Sequence, residues 1–127
     1  VLFSSRAPIG YMAIAADEVT TNQGFKSVVP KPEFGTAYVY YFLKQNLSVI
    51  ESMASGSTFK EVSGSTMKTV PAIIPDENTI AKFNEFCAPL FVQQQLLEEE
   101  CQNLAALRDA LLPRLMSGEI DVSNIQL

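Results

Sequence analysis

Three short polar stretches carry the residue types that grip nucleic acid. Ser4-Ser5-Arg6 sets two hydroxyls and a guanidinium beside a Pro/Gly turn. Asn22-Gln23-Gly24-Phe25-Lys26 offers two amides and an ammonium, and Ser57-Thr58-Phe59-Lys60 offers hydroxyls, an aromatic ring and an ammonium. Hydroxyl and cationic groups bond phosphate oxygens, while amides and guanidinium also match base edges in a DNA groove. The candidate DNA-contacting residues are therefore Ser5, Arg6, Asn22, Gln23, Lys26, Ser57, Thr58 and Lys60. Each has a plainer role as well. Asn commonly supplies turn geometry. Arg6 suits a surface salt bridge as readily as a phosphate. Tyr38, Tyr40 and Tyr41 suit helix packing better than base stacking.

Other chemistry lacks its residues. The chain has no histidine, which removes the usual general base and the commonest metal ligand. Gly24, Gly35, Gly56, Gly64 and Gly118 are scattered and form neither a Walker loop nor a dinucleotide fingerprint. Glu98, Glu99 and Glu100 are consecutive, so on a helix they face different directions and read as a solvated face. Cys87 and Cys101 share one helical stripe at about 21 Å, beyond disulfide reach. With no histidine beside them they argue against zinc, and they read as small core residues in a reducing cytoplasm. The expectation is a chain with no catalytic residue, no metal and no cofactor.

Short elements must carry the polar turns. Val1 to Ser4 and Tyr11 to Ala15 flank Pro8 and Gly10, which predicts strand, turn, strand. Phe25 to Val29 is a third strand candidate, stopped by Pro30 and Pro32. Thr36 to Ala54 takes helical period, as one helix or as two broken near Asn46. Ser65 to Thr69 predicts one capped helical turn. Val70 to Pro75, bracketed by prolines, predicts an edge strand. Asp76 is placed to cap the next helix. Pro89 is expected to kink that helix or mark its true start, and Pro113 and Gly118 to end it.

In the last third a heptad seam appears. Phe83, Cys87, Leu90, Gln94, Leu97, Cys101, Leu104, Arg108, Leu111 and Leu115 follow one another at alternating steps of four and three. One helix from about Thr79 to Leu112 would be roughly 50 Å long. A stripe of that length needs a second long helix. Phe83, Leu90, Leu97, Cys101, Leu104 and Leu111 are the expected interface residues, with Gln94 and Arg108 fixing register. The charges follow the same division. Residues 1–75 carry six cations against five acids, a net +1, while residues 76–127 carry three against nine, a net −6, within an overall −5. A polyanion would meet the first part. No run of about 18 apolar residues suggests a membrane span, and no basic-then-apolar signal peptide opens the chain. The chain of 127 residues is about one domain long. Its first residue is not Met, and Val1-Leu2-Phe3 reads as the middle of a strand, so the N-terminal part of a larger domain is expected to be missing.

Five motifs in order carry a resemblance along essentially the whole chain. They are Phe3 to Gly10, Thr21 to Ser27, Gly56 to Ser63, Val70 to Pro75, and Leu107 to Ile120. Together they closely resemble the specificity subunit of Type I restriction–modification enzymes, in the later part of one target-recognition domain and the helical region after it. The family usually carries a second proline and a Glu-Gln pair after the position of Pro75, where this chain has Asp76-Glu77-Asn78-Thr79. The resemblance implies an α/β (α+β) recognition domain at residues 1–75, truncated at its N-terminus. A long coiled-coil-type helix at residues 76–127 then serves as spacer and dimerisation region. It also implies a cytoplasmic, non-catalytic subunit that reads one half of a bipartite site in double-stranded DNA. Such a subunit docks methyltransferase subunits and meets the restriction/translocase subunit through the complex. A homodimer through the long helix is expected. The alternative is a coiled-coil interaction module that makes no direct DNA contact.

Overall fold

A computed structural model of the chain describes residues 1–56, 60–121 and 123. Strand β1 (Leu2–Phe3) pairs antiparallel with β2 (Met12–Ala13), Leu2 opposite Ala13 and Phe3 opposite Met12. Ser4 folds the connection between them: its amide donates to the Tyr11 carbonyl at 2.8 Å, and its hydroxyl donates to the Pro8 carbonyl at 2.9 Å. Helix α1 (Gly35–Gln45) and helix α2 (Leu47–Ser52) follow. Asn46 separates them with φ −94° and ψ 10°, outside the helical region, and its side-chain amide joins its backbone amide on the Phe42 carbonyl, at 2.8 and 3.1 Å. Helix α3 (Gly64–Met67) is a single turn. Its cap is Ser63, which accepts from the Thr66 amide at 3.0 Å, so the turn starts just ahead of the Ser65–Thr69 stretch expected to form it. Helix α4 (Glu77–Met116) is the long one.

The expected fold class is present: a small two-stranded sheet with helices, followed by a long C-terminal helix. Two expected strands are corrected. Phe25 to Val29 contributes only a bridge from Phe25 to Ser4, helped by bonds from the Lys26 and Val28 amides to the Phe3 and Val1 carbonyls. Val70 to Pro75 forms no strand. Pro71 and Pro75 have no N–H to offer a ladder, and the Ile73 carbonyl is taken by the Tyr38 hydroxyl at 2.6 Å. The helix runs through both Pro89 and Pro113, so Pro89 does not mark its start and Pro113 does not end it. An interior proline removes one backbone bond, and the strong helix formers around Leu96 to Glu100 continue the pattern. The end is set by Gly118, whose φ of +74° suits a residue without Cβ; its amide donates to the Leu115 carbonyl at 3.2 Å. Asp76 caps the start as expected, accepting from the Thr79 amide at 3.0 Å.

Two compact units result, Val1–Pro89 and Leu90–Leu127. In the first, Phe3, Leu43, Ile50, Val62 and Val70 form the core, with Met12, Val39 and Leu47 packed against it. Fully burying a side chain of this size contributes roughly 1.5–3 kcal/mol, so these residues hold the hairpin, α1, α2 and the 61–70 segment together. The tyrosines of α1 pack as expected: Tyr38 stacks on Phe34 and Phe42, and Tyr41 meets Phe83 edge to face. Cys87 is buried in this unit, whereas Cys101, expected to be a core residue, is exposed.

Asn84 docks α1 onto the first turns of α4. Phe34 at the N-cap of α1 has no side chain that can accept an amide proton. Asn84 reaches across 50 residues of sequence, donating to the Phe34 carbonyl at 2.9 Å and accepting from the Tyr38 amide at 3.4 Å. Gly35 lies against it with φ +71°, and a Cβ there would stand 2.5 Å from Asn84 Nδ2. We expect Gly35→Ala to lower stability by about 1–3 kcal/mol, through strain and collision. Asn84→Ala should cost about 1 kcal/mol through the unmet Tyr38 amide and Phe34 carbonyl. Because removing Asn84 also removes the collision, the double variant should fall short of the sum in chemical denaturation.

Candidate nucleic-acid interface

Ser5 is the point where the polar turns meet. Its amide and its hydroxyl both donate to the Gly24 carbonyl, at 2.7 and 3.0 Å, and its own carbonyl accepts from the Val62 amide at 2.9 Å. Three segments far apart in sequence are thereby tied to one residue. Ser5 is fully buried, so its hydroxyl holds the turns together and does not face solvent.

The residues around it are exposed or half-buried. Asn22 shapes its own turn: its side-chain oxygen accepts from the Gly24 amide at 2.9 Å, and its carbonyl from the Phe25 amide at 3.1 Å. Gln23 is exposed and its carbonyl accepts from Lys26 Nζ at 3.2 Å. On the other side of Ser5, Arg6 pairs backbone to backbone with Glu61, and the Ala7 amide donates to the Lys60 carbonyl at 3.2 Å. Arg6, Ala7, Lys60 and Glu61 line a shallow cavity of about 330 Å³. Ser57 and Thr58, also expected to contact DNA, lie outside the described residues.

Glu61 is the residue that sequence reasoning passed over. It takes Arg6 Nε on one carboxylate oxygen at 3.0 Å and Lys26 Nζ on the other at 3.6 Å. Its backbone is held on a second side by Ser55, with bonds of 3.0 and 2.9 Å in the two directions. The hydrogen bond from Arg6 is the main cause that holds its carboxyl below the ordinary value of 4.5; desolvation opposes it, and the positive charges of Arg6 and Lys26 add to the lowering. The one signal in the sequence was an acid between a basic residue and a buried valine, which does not disclose a partner 55 residues away.

Of the expected interface residues, Phe83 packs on Tyr41 within the first unit. In the second unit Leu90, Leu97 and Cys101 line one side of the helix with Gln94, Glu98 and Gln102. Leu97 is 50% exposed and Leu104 58%, while Leu111 is half-buried. Gln94 donates to Glu98 at 2.8 Å, and Arg108 to Asp109 at 2.8 Å. Among the described residues no group of three His, Cys, Asp or Glu side chains gathers to hold a metal, and no helix is long and apolar enough to cross a membrane.

The sequence model of the Type I restriction modification DNA specificity domain matches residues 1–96. The chain belongs to this family. One relative of this specificity-domain chain is the Type I restriction enzyme MjaIX specificity subunit of Methanocaldococcus jannaschii, 37% identical over 108 residues. That alignment covers 78% of the chain and 25% of the relative. Another is the Type I restriction enzyme HindI specificity subunit of Haemophilus influenzae, 29% identical over 123 residues, covering 94% of the chain and 27% of the relative. The chain thus spans about a quarter of the length of the curated relatives it matches. No solved structure matches it.

The depressed carboxyl fixes a sign. A group whose folded value lies below its unfolded one stabilises above the unfolded value, here 4.5, and loses that contribution as pH falls through the folded value. In an NMR titration Glu61 should therefore titrate below 4.5, and Arg6→Ala should move it back up toward that value.

Proposed function

We propose that this chain is a DNA-recognition piece of a Type I restriction–modification system, reading one half of a bipartite site. Residues 1–75 do the reading, through the turns at Arg6, Asn22 to Lys26, and Lys60. Residues 76–127 form the spacer and the joint. The observation that carries the reading is that Arg6 and Lys60 line one small cavity with Glu61, whose carboxylate pairs with Arg6 and Lys26, in a chain whose relatives are named as specificity subunits. Three cations at one spot on a net acidic chain favour a polyanion over a general surface role. Asn22 and Gln23 add the amide chemistry that discriminates bases. Ser5 acts from below as the residue that fixes the turns.

Chemistry on the DNA belongs to partners in this reading: methyltransferase subunits docked on the recognition and helical regions, and a restriction/translocase subunit brought by the cytoplasmic complex. The exposed leucines of the second unit take a second copy of the same helix, in a symmetric pair whose register Gln94 and Arg108 help to set. Leu97→Glu or Leu104→Glu would place an unpaired charge in that apolar seam. Sedimentation should show a lower mass for both variants, and an unchanged mass in both would remove the seam from the interface.

The DNA contacts are tested by salt dependence. Replacing Arg6, Lys26 and Lys60 together by alanine should weaken binding to duplexes of every sequence. The salt slope should fall by about 1 for each phosphate that the variant leaves without its cation. Wild-type affinity and slope in the triple variant would instead favour the coiled-coil interaction module that leaves DNA to its partners.

A further inference from the structure

A carboxylate is an odd occupant of a surface meant for a polyanion, because it repels the phosphates that its neighbours attract. Glu61 is nevertheless held at both its backbone and its side chain. Its backbone is paired on one side to Arg6 and on the other to Ser55. Its two oxygens are divided between cations from two different turns, Arg6 at 3.0 Å and Lys26 at 3.6 Å. Such exposed pairs contribute little to stability, so a stabilising role is a poor account of the arrangement.

The geometry of the Arg6 bond suggests another role. Glu61 meets the guanidinium through Nε. Nε is the nearest nitrogen to the carboxylate, at 3.0 Å, and the terminal nitrogens beyond it are the part of arginine that grips a guanine edge or a phosphate with two parallel bonds. An unrestrained arginine must surrender much rotamer freedom when it binds, whereas one held at Nε has surrendered part of it already. The same carboxylate ties Lys26 to the arginine, so the first and second turns share one electrostatic anchor.

We propose that Glu61 is a positioning residue for DNA reading: it holds Arg6 by Nε so that the terminal fork is presented to one base or its phosphate, in fixed relation to Lys26. This rests on the DNA-reading function proposed above. In this role Glu61 does not itself read a base. It acts through Arg6.

The probe is a duplex library with a randomised core, selected on the full chain in its assembled form. Wild type should return a motif. Glu61→Ala should flatten the preference at one position, or two adjacent ones, by about tenfold, the scale of one good bidentate contact. Binding to the whole library should not weaken, because a negative charge has been removed. Glu61→Gln keeps an oxygen that can accept from Arg6 Nε, and should retain most of the preference. In an Arg6→Ala background Glu61→Ala should change the base preference no further. An unaltered motif with Glu61→Ala would overturn the proposal. So would uniformly tighter binding with unchanged preferences, which would make Glu61 a mere repellent. A loss that persists in the Arg6→Ala background would also overturn it, by showing a structural role. If the wild-type assembly itself selects no motif, the DNA-reading function falls first and takes this role with it.

Discussion

Ser5 ties three turns of the first unit to one point. The residues that could read DNA come from segments near positions 6, 23 and 60, and no local pattern could hold them together. A single buried serine does so with three bonds, two to the Gly24 carbonyl and one from the Val62 amide. Because Ser5 follows directly on Ser4 and β1, the anchor inherits the rigidity of the hairpin and of the core residue Phe3 beside it. The surface is thus built from loops whose positions are set by buried backbone bonds, which is how loops come to present fixed side chains at all.

The same logic extends to the helices. The first turn of α1 lacks a cap of its own and obtains one from Asn84 on α4, with Gly35 leaving room for it. Core burial of Leu43 and Ile50 then holds α1 and α2 against the hairpin. The second unit differs in kind. Its leucines lie exposed along a helix whose remaining faces carry glutamine and glutamate, a pattern suited to a partner helix and not to a core of its own. The two units therefore rely on different physical devices, backbone clamping in the one and an exposed apolar stripe in the other.

What the sequence disclosed was what local rules govern. The hairpin around Pro8 and Gly10, the break at Asn46, the cap at Asp76 and the long helix all follow from residues within a few positions of one another. The family resemblance, carried by five ordered motifs, agrees with the match to the specificity domain. Contacts spanning the chain escaped. Asn84 was a poor helix former inside an apolar pattern, a signal without a partner, and its partner lies 50 residues away. Glu61 carried less of a signal still. The strand expected at Val70 to Pro75 failed because β-pairing depends on a neighbour that sequence does not specify, and two prolines had already removed donors. Ser5 was singled out for its hydroxyl, yet only the fold reveals that the hydroxyl is spent inward.

The central claim is that the turns gathered by Ser5 form the surface that meets DNA. Lysine-modification footprinting of the assembled protein, with and without duplex, tests it most directly, because lysines lie both on and off that surface. The account predicts that duplex protects Lys26 and Lys60 while Lys44, beside the Tyr40 and Tyr41 rings, and Lys68, at the end of α3, react as before. Equal modification of Lys26 and Lys60 in the free and bound states would contradict it.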